Sequence, residues 1–149
     1  MAIWDTNNNW TFWHADLSQR EYAEAAATAA QWPAVIVAAG DAIPIGLMLL
    51  SSHMQTVTAE TSAGVYFGTN FLVASWGMFV FYRVRQGRFG QIPWLAAFVF
   101  FEGLKTLDGS ISEGNLGGIF IYLITLVFMV DSLRGWWAIR RFDKSDKSE

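Results

Sequence analysis

Pro33–Ser51 reads PAVIVAAGDAIPIGLMLLS, with Asp41 as its one charged residue. As an α-helix it would be about 28 Å long at 1.5 Å per residue, close to the ~30 Å of a bilayer's hydrocarbon. It is too long for an ordinary strand, and it lacks the strict alternation of a membrane barrel. Three more runs of similar length follow. They are Gly64–Tyr82 (GVYFGTNFLVASWGMFVFY), Ile92–Asp108 (IPWLAAFVFFEGLKTLD) and Gly117–Arg134 (GGIFIYLITLVFMVDSLR). A soluble bundle of these runs would need four helices apolar on every face. The expected fold is therefore all-α: an integral membrane four-helix bundle with spans at about 33–51, 64–82, 92–108 and 117–135. Residues 1–31 form an N-terminal cytoplasmic or interfacial segment with one helix, 32–141 the membrane domain, and 142–149 a charged, disordered tail.

Composition agrees with this class. The chain has 149 residues, 53% of them hydrophobic, with eight Trp and twelve Phe. Soluble domains average about 45–50% apolar. The net charge of −3 comes with no basic stripe interleaved with stacking aromatics, so no nucleic-acid partner is expected. The absence of cysteine excludes disulfides, thiolate metal sites and cysteine nucleophiles.

The loops orient the spans. Between the second and third runs lie Arg83, Arg85 and Arg88; after the fourth come Arg140, Arg141, Lys144 and Lys147. The loops 52–63 and 109–116 hold no Lys or Arg. The positive-inside rule then places both termini in the cytoplasm, in a plasma or bacterial inner membrane. Of ten basic residues, only Lys105 falls elsewhere.

Residues 1–15 lack the basic region of a signal peptide, and Trp4, Trp10 and Trp13 suit a membrane interface. An alanine-rich helix is expected over Asp16–Gln31, with Ser18 and Glu21 at capping-box spacing. Pro33 suits the first turn of the next helix.

Lipid supplies little hydrophobic drive for helix association, so small residues must let backbones approach. Ala34, Ala38, Ala42 and Gly46 stand four apart on one face. Gly64 and Gly68 form a GxxxG at the head of the second run. These positions are expected to pack helices within the chain or between copies.

Asp41 falls about 12 Å into the first span. Insertion of an aspartate there costs about 2.5–3.5 kcal/mol. Pro44 cannot donate to the carbonyl of Gly40, which leaves a kink and a free carbonyl beside the carboxylate. Asn70, Glu102 and Lys105 fall at comparable depth, with Glu102 and Lys105 one turn apart. The four polar residues are expected to converge inside the bundle, either neutralising one another or handling a proton or cation. Asp131 and Arg134 read as an interfacial ion pair, with Trp136 and Trp137 as an aromatic anchor. His14 and His53 lie on opposite sides of the membrane, so no metal or haem site is expected.

No nucleophile–base pair or cofactor motif is present, so neither an enzymatic activity nor a cofactor is expected. The sequence favours a small non-enzymatic membrane protein, an accessory or assembly subunit or scaffold of a membrane complex. Its partners would be the bilayer and either copies of itself or other membrane subunits. The alternative is a small homo-oligomeric proton- or cation-coupled transporter or channel using the intramembrane carboxylates.

Overall fold

The alanines of Arg20–Thr28 (α1) make a good helix, because an alanine side chain loses no rotamer freedom there. The computed structural model describes residues 16–50, 63–112 and 114–146. The helix begins later than the capping-box spacing suggests. Its N-cap is Gln19, with no side-chain cap. The Ser18 amide instead donates to Asp16 Oδ1 at 2.8 Å, a local turn that competes with the cap. After a turn at Ala29–Ala30 the chain resumes as Gln31–Leu50 (α2), which runs through Pro44.

Ala63–Arg85 (α3) follows. It ends at Gly87, whose φ of 72° is cheap only for glycine, and the Arg88 amide returns to the Arg83 carbonyl at 2.9 Å. A short 3-10 turn, Phe89–Gln91, leads into Ile92–Ser112 (α4). Leu116–Ser145 (α5) is capped by Asn115, whose side chain accepts from the Gly118 amide at 3.1 Å. With α1 and α2 nearly continuous, the chain is four long helices with no strand among the described residues. Two stretches, Arg20–Leu47 and Leu116–Ser145, are long and apolar enough to cross a membrane by length and composition.

One boundary corrects the sequence reading. The helix α5 continues through residues 142–145, which had been assigned to a disordered tail. Arg20 Nη1 bridges to Asp143 Oδ1 at 3.1 Å and Asp146 Oδ2 at 3.7 Å, and Phe142 packs on the core. Charge composition alone could not show that a cation on α1 lies opposite.

The helices meet in three principal seams: α2 on α3, α1 on α5, and α4 on α5. A glycine sits in each. A Cβ added to Gly77 would lie 3.0 Å from the Ala34 carbonyl and the Ala38 amide. On Gly135 it would collide with the backbone of Ala23 and Ala27, and on Gly103 with the Tyr122 ring. Ala23, Ala27, Ala30 and Ala34 continue one buried line from α1 into α2.

Burial is uneven along the bundle. At the end where α1 docks, Val80, Val84, Ile92, Leu95 and Ile139 are buried. Beyond Ala38 in α2, before Gly77 in α3, beyond Gly103 in α4 and before Tyr122 in α5, no described residue is buried. The far half therefore exposes large side chains, including Leu72 at 68%, Phe101 at 67% and Phe120 at 64%.

Candidate functional site

The polar residues singled out from the sequence lie in that loosely packed half. Glu102 and Lys105 share a face of α4, and Lys105 Nζ donates to Glu102 Oε1 at 2.7 Å. Their side chains are 48% and 74% exposed, so the pair sits on an open face and not inside the bundle as expected. Close contacts at glycines hold the seams up to Ala38, Gly77 and Gly103, and beyond them no described residue is buried. Asp41 is half-buried on α2. Asn70, on α3, is also half-buried. Two carboxylates and one ammonium leave one negative charge, or one site for a proton.

Beside Glu102 an aromatic groove of about 730 Å³ opens between α3 and α4. Trp76 and Phe98 line it, edge to face with centroids 5.3 Å apart, together with Leu72, Trp94 and Phe101.

The packing positions divide in the same way. Ala34 and Ala38 are buried against Gly77, a partner the spacing argument did not single out. Ala42 is exposed, and Cβ atoms on Gly46 and Gly68 would meet nothing within 4 Å. The stripe thus ends at Ala38 within this chain. Gly64 lies in the first turn of α3. Gly40 is exposed one turn before the half-buried Pro44.

At the other end, Arg134 Nη1 donates to Asp131 Oδ1 at 3.1 Å. Asp131 is fully buried, and so is Ser132. Both lie one turn before Gly135 on the helix that α1 covers. The covering helix was legible in the alanine line of α1, which extends the α2 stripe backwards. Trp136 and Trp137 tilt against each other at 6.3 Å, and Arg140 lies 4.8 Å over the Trp136 ring. Trp4, Trp10, Trp13, His14 and His53 lie outside the described residues. Among the described residues no group of three or more His, Asp or Glu is placed to hold a metal ion.

Comparison with known proteins gives no match: no family model, no curated protein and no solved structure is similar to this chain.

Proposed function

We propose that this chain is a small, non-enzymatic integral membrane protein that serves as an accessory or assembly subunit, or scaffold, of a membrane complex. Its four long helices would be the spans, with both termini cytoplasmic. The observation that carries the reading is the open face of the far half. The Glu102–Lys105 ion pair lies there at the surface of the chain, and the aromatic groove between α3 and α4 reaches it at Glu102. Charges at that depth are costly against lipid and tolerable against protein. A neighbouring membrane helix laid across α3 and α4 would cover the groove and leave Glu102 and Lys105 out of lipid. The test is the composition of the particle in mild detergent, with a photo-crosslinker at Phe101 and a control at Tyr22. A stoichiometric partner of different sequence, crosslinked from Phe101 and not from Tyr22, supports a subunit. A monodisperse single chain with no adduct overturns it.

A second reading rests on Asp41 and Glu102, two carboxylates on different helices. They suit a homo-oligomeric proton- or cation-coupled transporter. Asp41→Asn, Lys105→Met and the double variant separate the readings. In the subunit, Lys105→Met lowers thermal stability, Asp41→Asn added to it restores part of the loss, and no form carries flux in liposomes. In the transporter, Asp41→Asn is stable and abolishes a pH-dependent flux seen in wild type.

A further inference from the structure

We propose that the turn between α3 and α4 and the aromatic groove below it bind one anionic phospholipid, with the phosphate at Arg88 and an acyl chain in the groove. The inference rests on the membrane reading above, and the neighbouring helix of that reading would close over the lipid. Arg83, Arg85 and Arg88 stand close in the sequence, and no acid occurs from Arg83 through Phe101. The backbone gathers the arginines further. The Arg88 amide donates to the Arg83 carbonyl and the Gly87 amide to the Val84 carbonyl, each at 2.9 Å, the reversal that commonly ends a helix at a glycine. None of the three makes an ion pair among the described residues. Arg83 and Arg85 lie over Phe79 and Phe81, 5.7 and 5.9 Å from the ring centroids. Arg83 Nε is buried with no acceptor, a donor that the described residues leave unmet. The helix α1 also touches α3, but its acids do not neutralise this turn. Asp16 accepts from the Ser18 amide and Glu24 from Arg20, and Glu21 makes no ion pair among the described residues.

The occupant is a lipid and not a free phosphate because the turn stands at one end of the groove. Arg88 caps the 3-10 turn that ends at Gln91, and Gln91 lines the groove. From there the lining follows α4 through Ala97 and Phe101 to Glu102, about 16 Å at 1.5 Å per residue. A free phosphate would use the arginines alone, whereas a phosphodiester that carries acyl chains uses the arginines and the groove. Tyr82 and Trp94, before and after the turn, are exposed aromatic residues of the kind found at headgroup depth. The phosphodiester brings the negative charge that the turn lacks, and the anionic cytoplasmic leaflet would be its source.

The experiment is native mass spectrometry of the purified full chain in micelles doped with phosphatidylglycerol or phosphatidylcholine. Wild type is expected to retain one phosphatidylglycerol in preference to phosphatidylcholine. Arg88 is exposed, so Arg88→Gln leaves the fold intact and should weaken that retention about tenfold, as for loss of one charge-assisted contact. Ala97 is exposed within the groove, so Ala97→Phe fills it and should weaken retention of both lipids. Arg141, on α5, carries the same charge as Arg88 and does not line this groove, so Arg141→Gln should change nothing. Glycerol phosphate, the headgroup without chains, should not be retained. Equal retention of both lipids by wild type, equal effects of the two arginine substitutions, wild-type retention by Ala97→Phe, or retention of glycerol phosphate as strong as that of the lipid each overturns the site. An alkaline wash of vesicles carrying the chain tells the two failures apart. A chain that stays with the vesicles but shows no lipid preference overturns this site alone, and a chain that washes off overturns the membrane reading too.

Discussion

Gly135, Gly77 and Gly68 occupy similar helical backbones and face three different neighbourhoods. At Gly135 a methyl group would strike the backbone of α1, which cannot move without separating the α1–α5 seam. Gly135→Ala is expected to destabilise the fold by about 1–3 kcal/mol, the usual cost of overpacking a tight contact. Gly68→Ala meets open space and should be neutral or gain up to about 1 kcal/mol of helix propensity. Unfolding midpoints in mixed micelles check both; a Gly135→Ala midpoint equal to wild type would contradict the seam. Asp16 offers a pH reading at the same scale. The Ser18 amide bonded to its carboxylate holds it below the usual carboxylate range. A depressed folded value means the turn is fully supported above the ordinary aspartate range near ~3.9 and is lost as pH falls through the lower, folded value. The Ser18 amide resonance should therefore titrate with a midpoint below ~3.9, and a midpoint at or above it would show that the bond does not form.

At the scale of the element, α2 has two unlike halves. Its first half is a packing helix, with Ala34 and Ala38 against Gly77. Its second half carries Asp41, Ala42 and Gly46 without close packing in this chain. Ala38→Leu should therefore reduce the yield of folded monomer, since the larger side chain forces α2 and α3 apart. Ala42→Leu should leave the monomer folded and act only on an assembly that covers this face. Thermal stability and gel filtration of the two variants separate these effects. Equal losses of stability would mean that Ala42 is packed within the chain. The equal spacing of Ala34, Ala38, Ala42 and Gly46 makes all four candidates on sequence grounds. Which of them pack depends on where α3 diverges, and that is a property of the pair of helices.

The whole molecule is polarised. One end is tightly packed, rich in arginine and tied by Arg20 to Asp143 and Asp146. The other has no buried residue among those described and carries Glu102 and Lys105 at the surface. With the arginine end in the cytoplasm, cysteines introduced at Ser52 and Ser112 should react with an impermeant thiol reagent from outside intact cells. One at Gln86 should react only after permeabilisation. Labelling of Gln86 in intact cells would overturn the orientation.

The all-helical class was legible in the sequence because the period and length of an apolar run are local properties. The bounds of α2, α3 and α4 fall within a few residues of the runs that announce them. The Glu102–Lys105 pair was legible for the same reason: the two residues are one turn apart on any helix, and their contact is made within α4. Tertiary structure decided what no spacing encodes. It put Gly77 opposite Ala34 and Ala38, buried Asp131, and set Arg20 against the last turns of α5. It also left Glu102 and Lys105 on an open face. Each of these depends on the distance between helices, and that distance is set by which small residues meet across a seam.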